Sequence, residues 1–124
     1  MQILIIDDDT TTRMMLNNVI KRMGHTPLLA ADGREGIAVF DRESPGLVIT
    51  DWMMPGADGL AVTRHVRSHA KAGYVYVILV TVRRDRTSFI EGMEAGVDDF
   101  ITKPVDLEEL QARIKVGERI LLKR

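Results

Sequence analysis

A chain of 124 residues, 45% of them hydrophobic, is expected to fold as one compact domain whose core needs no covalent staples. It has no cysteine, which excludes disulfides and thiolate metal sites, and 17 basic against 18 acidic residues leave a net charge of -1. That balance gives no general pull toward nucleic acid or a membrane surface, so a DNA-binding role would need a separate domain.

The sequence opens with Met1-Gln2 and a short apolar run, with no basic leader region and no apolar stretch long enough to span a bilayer; the expected compartment is the cytoplasm. Ile3 to Ile6 is too short for a helix and is halted by Asp7-Asp8-Asp9, which predicts a buried strand. Thr10 or Thr11 can cap the next segment. From Thr12 to Met23, Leu16, Val19, Ile20 and Met23 fall at i, i+3, i+4 and i+7, and Gly24 closes an amphipathic helix. Thr26 to Ala31 reads as a second strand and Gly33 to Arg42 as a second helix with Ile37 and Phe40 inward. Ser44-Pro45-Gly46 is a turn.

Leu47 to Thr50 is the third strand, and it delivers Asp51 to its C-terminal tip just before the break at Pro55-Gly56. Leu60, Thr63 and Val66 mark a third helix running to about Ala70, and Lys71-Ala72-Gly73 releases the chain. Val75 to Thr81 is the most continuous apolar run, as in a central parallel strand covered on both faces. Arg83 to Ala95 carries Ile90 and Met93 at helical spacing, Asp99 to Thr102 gives a short fifth strand ended by Lys103-Pro104, and the last helix begins near Asp106.

Strand and helix alternate five times with no linker or composition shift, which predicts an α/β domain with a parallel sheet and helices on both faces. All strand C-termini then point one way, and Asp7, Asp8, Asp51, Thr81 and Lys103 gather on one edge, where open α/β sheets place their chemistry. Gathered carboxylates repel, and the usual remedy is a hard cation that prefers oxygen ligands, such as Mg²⁺. A metal beside Asp51 would neutralise an incoming phosphoryl group and leave the carboxylate free to attack phosphorus. Lys103 offers a point charge and Thr81 a hydroxyl to the remaining oxygens. The segments around Asp32-Gly33 and Asp98-Asp99 read as ordinary turn and cap chemistry.

The acidic pair Asp7-Asp8, Asp51 with Pro55-Gly56 and Gly59 behind it, Thr81, and Lys103-Pro104 closely resemble the receiver domain of bacterial two-component response regulators, including chemotaxis regulators. The resemblance covers residues 1–122. It implies a doubly wound, flavodoxin-like (βα)5 three-layer sandwich with strand order 2-1-3-4-5. It implies Mg²⁺-dependent transfer of a phosphoryl group from a histidine kinase's phosphohistidine, or from a phosphotransfer protein, to Asp51, with Mn²⁺ able to replace Mg²⁺. Such a domain catalyses its own phosphorylation and dephosphorylation and is not a conventional enzyme. Asp8, Asp51 and the backbone carbonyl of Met53 would ligate the metal, and Asp7 would act through water. Phe100 matches the switch aromatic that turns inward as the Thr81 hydroxyl moves. The altered surface would be the fourth helix, fifth strand and fifth helix, facing an output domain, a downstream protein or a second copy. Met53, Val82 and Arg83 occupy positions that modulate rate, and an apolar Met53 beside a covering Arg83 implies a slowly hydrolysing phosphoform.

Asp7-Asp8-Asp9-Thr10-Thr11 also fits the D-x-D-x-T motif of haloacid-dehalogenase-type phosphatases, a reading that leaves Asp51 without a role. A third reading is a pseudo-receiver acting only as an interaction module. Trp52 is read as a packing residue of the loop, Met14, Met15, Met53, Met54 and Met93 as fillers of core or loop space, and His25, His65 and His69 as showing no metal-ligand spacing.

In the last segment, from about 106 to 124, Leu107, Leu110, Ile114 and Leu121 with Gly117 form one seam, and Val116 with Ile120 a second strip. The second strip is either part of a broad buried face or a surface for a partner or coiled coil. Residues 113–124 hold five basic side chains against Glu118 alone, and the sequence stops at Lys123-Arg124 without a cap. This predicts a helix that runs on as a signalling helix into an output domain.

Overall fold

Five apolar runs form a single parallel sheet in the computed structural model, which describes residues 1–71 and 73–122. The chain runs β1 (Gln2–Ile6), α1 (Thr10–Arg22), β2 (Thr26–Ala30), α2 (Gly33–Glu43), β3 (Leu47–Asp51), α3 (Gly59–His69), β4 (Tyr76–Thr81), α4 (Arg86–Ala95), β5 (Asp99–Thr102) and α5 (Leu107–Leu122). The strand order is β2-β1-β3-β4-β5, with every neighbouring pair parallel, as predicted.

Alternation along the central strands divides the core into two layers. Leu4, Ile6, Val48, Val77 and Leu79 face α2, α3 and α4, whereas Ile3, Ile5, Leu47, Ile49, Ile78 and Val80 face α1 and α5. Because both faces are covered, β3 and β4 are buried along their whole lengths, which is why they read as unbroken apolar runs.

Several local expectations are corrected. The cap of α1 is Asp9, not Thr10 or Thr11: its carboxylate accepts the Thr12 N–H at 2.8 Å, and a charged acceptor suits the positive end of a helix. The fourth helix starts at Arg86, capped by Asp85, so Arg83 and Arg84 belong to the preceding loop. Its inward face is Ser88, Gly92 and Ala95, while Ile90 and Met93 are exposed. The reason is Phe100, whose ring lies so close over Gly92 that an added Cβ would sit 2.6 Å from Cζ. Met14, on α1, is likewise exposed and fills neither core nor loop space, whereas Met53 is exposed within the β3–α3 loop. Trp52 is buried, as a packing residue should be.

On α5, Leu110, Ile114 and Gly117 are buried and Leu107 and Leu121 pack partly against the core, while Val116 is only half-buried and Ile120 is exposed. The second strip is therefore no part of a broad buried face. Ala72 and the expected basic helix end at Lys123-Arg124 lie outside the described residues.

Asp98 does more than turn chemistry. Its carboxylate accepts the Val77 N–H at 2.8 Å, the Tyr74 hydroxyl, and Arg67 Nη2 at 2.7 Å. Arg67 in turn donates to the Val75 and Gly96 carbonyls, so α3 is tied to the start of β4 and to the end of α4. The Tyr74 hydroxyl is pushed up to about 12, first by burial and then by the hydrogen bond to Asp98. Replacing Asp98 by Ala takes from Arg67 its carboxylate partner and from the Val77 N–H its side-chain acceptor, and urea unfolding should show a loss of about 3 kcal/mol. The same variant should ionise Tyr74 at lower pH in an absorbance titration; an unchanged titration would show that Asp98 does not hold that hydroxyl.

Candidate functional site

At the C-terminal edge of the sheet the backbone ladder continues past the strands. The Trp52 N–H donates to the Val80 carbonyl at 3.0 Å and the Lys103 N–H to the Thr81 carbonyl at 2.9 Å, so the residues at the strand tips are fixed by the sheet itself. Thr50 donates its hydroxyl to the Asp51 carbonyl, and Gly59 approaches so closely that a Cβ would lie 2.4 Å from that oxygen. Only glycine lets α3 start there.

Asp7, Asp8 and Asp51 come together with one carboxylate oxygen of each within 4.8 Å of the others, Asp7 and Asp51 buried and Asp8 exposed. Lys103 reaches between two of them, its Nζ 3.0 Å from Asp51 Oδ2 and 3.8 Å from Asp7 Oδ2. The peptide between Lys103 and Pro104 is cis. Thr81 is buried at the tip of β4, where its Oγ accepts the Arg83 N–H at 2.9 Å and its own proton is left to donate elsewhere. Asp51, Trp52, Met53, Thr81, Val82 and Lys103 line a groove of about 170 Å³.

Of the predicted residues, Asp7, Asp8, Phe100 and Arg83 do not line that groove, and the last two belong to its neighbour. Phe100 is half-buried and packs on Phe89 with ring centroids 5.0 Å apart. Together with Trp52, Arg83, Arg84, Asp85, Ser88 and Thr102 these two rings bound a neighbouring hollow of about 450 Å³. Arg83 lies over the Trp52 ring, its Cζ 4.8 Å from the centroid, with Nη2 3.5 Å from Met53 Sδ. The β4–α4 loop is thus laid across the β3–α3 loop. This latch was not read from sequence, although an arginine and a tryptophan each one or two residues past neighbouring strand ends are the signal for it. His25 pairs with Glu118, and His65 with Asp41 at 2.7 Å; among the described residues the three-ligand cluster contains no histidine.

The electrostatics follow from crowding. Burial raises the Asp7 carboxyl above its ordinary range, and the charges of Asp51 and Asp8 add to this against the Asp9 N–H and Lys103. Burial likewise raises Asp51, against the pull of Lys103. For Lys103, burial alone would lower the ammonium, but the hydrogen bond and charge of Asp51, with Asp7 and Asp8, outweigh it and the net shift is upward. Asp7 Oδ2 is buried and accepts no hydrogen bond among the described residues. A buried anionic oxygen without a donor, beside two more carboxylates, fits an oxygen-preferring divalent cation.

The sequence profile of the response regulator receiver domain matches residues 3–115. Over 114 residues the chain is 40% identical to the probable transcriptional regulator ycf27 of Porphyridium aerugineum, covering 92% of this chain and 46% of that protein. It is 32% identical over 118 residues to the phosphate regulon transcriptional regulatory protein PhoB of Escherichia coli, covering 95% and 52%. Among solved structures, the Francisella response regulator 1452 receiver domain superposes with a TM-score of 0.88 at 26% identity over 97% of this chain and 98% of that one. The chemotaxis protein CheY4 of Vibrio cholerae shares the fold, with a TM-score of 0.88 at 24% identity over 94% and 97%. The chain belongs to the response regulator receiver domains of two-component signal transduction. It spans about half the length of these transcriptional regulators.

A buried carboxyl held above its ordinary range keeps its proton to higher pH in the folded chain than in the unfolded one. Folding stability is then lost as pH rises through that range. Asp7→Asn should therefore raise the unfolding free energy at neutral pH in EDTA by about 1 kcal/mol, and the gap to wild type should shrink as pH is lowered. An Asp7→Asn protein that is less stable than wild type in EDTA would contradict this account of the site.

Proposed function

We propose that Asp51 is the phosphoacceptor of a two-component phosphorelay. The observation that carries this is Asp51 itself: a carboxylate at a strand tip, 3.0 Å from the Lys103 ammonium and clustered with Asp7 and Asp8. In the proposed reaction an Asp51 carboxylate oxygen attacks the phosphorus of a kinase or phosphotransfer-protein phosphohistidine, the P–N bond breaks, and the imidazole leaves. The product is an acyl phosphate on Asp51, later hydrolysed by water. Asp8, Asp51 and the Met53 carbonyl would hold Mg²⁺ or Mn²⁺, with Asp7 acting through water, and the bound cation supplies neutralisation of the phosphoryl charge. Lys103 pairs with a second phosphoryl oxygen. The Thr81 proton, free of any acceptor in its contact with the Arg83 amide, is available to donate to a third. Self-catalysed acquisition and loss of the phosphoryl group is the whole of its chemistry.

Switching would run through Thr81 to Phe100, which borders the 450 Å³ hollow on one side and α4 on the other. The surface that changes is α4–β5–α5, and its exposed Phe89, Ile90 and Met93 suit contact with an output domain, a downstream protein or, once phosphorylated, a second copy. An output domain beyond α5 is supported by the length of the transcriptional regulators the chain matches. No helix among the described residues is long and apolar enough to cross a membrane, and a partner kinase acting on ATP fits a cytoplasmic setting. Met53 and Val82 are exposed beside the acceptor, and Arg83 bridges Met53 and Trp52. These three residues would limit the approach of water.

Incubation with Mg²⁺ and a small acyl phosphate, followed by peptide mapping, should place the label on Asp51 and none on Asp51→Asn; label on Asp7 would favour a phosphatase-type nucleophile and sink this reading. Arg83→Ala should hydrolyse its phosphoform faster, by about threefold to tenfold if the guanidinium shields the group, an effect of the size of one charged hydrogen bond. Equal decay of wild type and Arg83→Ala in a phosphate-release time course would remove Arg83 from the rate-setting residues.

A further inference from the structure

Asp7 is fixed at every polar atom but one. Its N–H donates to the Ala30 carbonyl at 3.2 Å, its Oδ1 accepts the Asp9 N–H at 2.8 Å, and its carbonyl accepts Arg13 Nη1 at 2.7 Å. Among the described residues only Oδ2 is left without a hydrogen bond, buried and facing Lys103 Nζ at 3.8 Å. The carbonyl contact is unusual in kind. Asp7 lies just past the end of β1, so its C=O has left the strand ladder, and a side chain from the first turns of α1 takes it. Arg13 makes no ion pair within 4.0 Å of a carboxylate among the described residues; its other contact is Nη2 at 3.5 Å from Thr10 Oγ1.

We infer that Arg13 is a positioning residue of the acidic site: by holding the Asp7 carbonyl it sets the plane of the Asp7–Asp8 peptide, and so aims both acids at the cation position. This rests on the proposed divalent-cation reading. A guanidinium six residues downstream of the acid reaches this carbonyl because α1 begins three residues past it and turns its first side chains back over the strand end. Among the described residues the Asp7–Asp8 peptide is otherwise held only from the Asp7 side, through the Ala30 and Asp9 contacts.

The two ways in which Arg13 could influence a cation have opposite signs. As a bare positive charge near three carboxylates it repels a divalent ion, so deleting it should tighten binding. As a positioning group it organises the ligands, and deleting it should weaken binding, in the way that groups supporting metal ligands commonly do. The sign of the change therefore identifies the role.

The test is titration of Mg²⁺, and separately Mn²⁺, into wild type, Arg13→Ala and Arg13→Lys, read by calorimetry and by the fluorescence of Trp52, the chain's single tryptophan. Arg13→Ala should bind about tenfold more weakly. Arg13→Lys, which keeps the charge and one donor, should fall between Arg13→Ala and wild type. Urea unfolding in EDTA should show all three folded; should Arg13→Ala not fold, Arg13→Lys against wild type decides alone. Unchanged or tighter binding by the variants overturns the inference while leaving the cation site intact. Failure of wild type itself to bind either ion removes the reading on which the inference rests, and the inference with it.

Discussion

The constraint on which the rest of the structure turns is the convergence of three carboxylates and one ammonium at a single edge of a parallel sheet. Parallel strands joined by right-handed crossovers all end on the same side, so whatever follows each strand is brought to that edge. Here β1 is followed by acids, β3 ends in one, and β5 is followed by a lysine. Burial makes Asp7 and Asp51 costly as anions, and Lys103, within ion-pair distance of both, offsets only part of that cost, since both carboxyls stay raised. The site is held in this state by the ladder bonds of Trp52 and Lys103 and by the many ties on Asp7. Without that rigidity the carboxylates would turn outward to water.

The packing beneath the site is uneven in a way that matters for signalling. The C-terminal end of α4 is fastened through Gly96 to Arg67 and Asp98. At its N-terminal end lie the hollow beneath Phe89 and a loop secured to the β3–α3 loop mainly by the stacking of Arg83 on Trp52. Along its length α4 turns only small side chains inward, and its large ones face solvent. Few buried apolar contacts at one end and a charged network at the other describe an element that responds at its loose end first. That end adjoins Thr81.

How much of this was legible in the sequence depended on whether a feature is local or assembled. The order of elements, the parallel sheet and the convergence of Asp7, Asp8, Asp51, Thr81 and Lys103 followed from apolar runs ending in polar residues, because a buried strand must end where its polar neighbours begin. The seam of α5 was legible for the same reason, and the exposure of Ile120 takes its second strip out of the buried face. What failed were positions governed by distant partners. Ile90 and Met93 have helical spacing, but the space against the sheet at that point is taken by Phe100, and only small residues fit there. Asp98 resembles any acid beside a glycine turn until Arg67, far earlier in the chain, is folded against it. The cap of α1 is the local exception: the Asp9 carboxylate is a better acceptor for the first amides of the helix than the hydroxyl of Thr10 or Thr11.

Charge arithmetic explains why such a costly cluster is useful in the proposed function. Asp7, Asp8 and Asp51 with Lys103 carry a formal charge of three negatives and one positive, a net of about -2 when all are ionised. A divalent cation brings that to about zero, which is the condition under which a phosphoryl group can approach without strong repulsion. Phosphorylation of Asp51, as proposed, would exchange one carboxylate charge for a phosphoryl charge of about -1.5 to -2, and the excess would have to be met by donors not yet engaged. The Thr81 hydroxyl has its proton uncommitted, and Arg83 stacks on an aromatic face in place of a carboxylate. Both belong to the end of β4 and the loop leading into α4. In the proposed function the excess charge on the acceptor would draw on the groups attached to the least firmly packed helix end, which would give a single added phosphoryl group a path from the sheet edge to the outer surface.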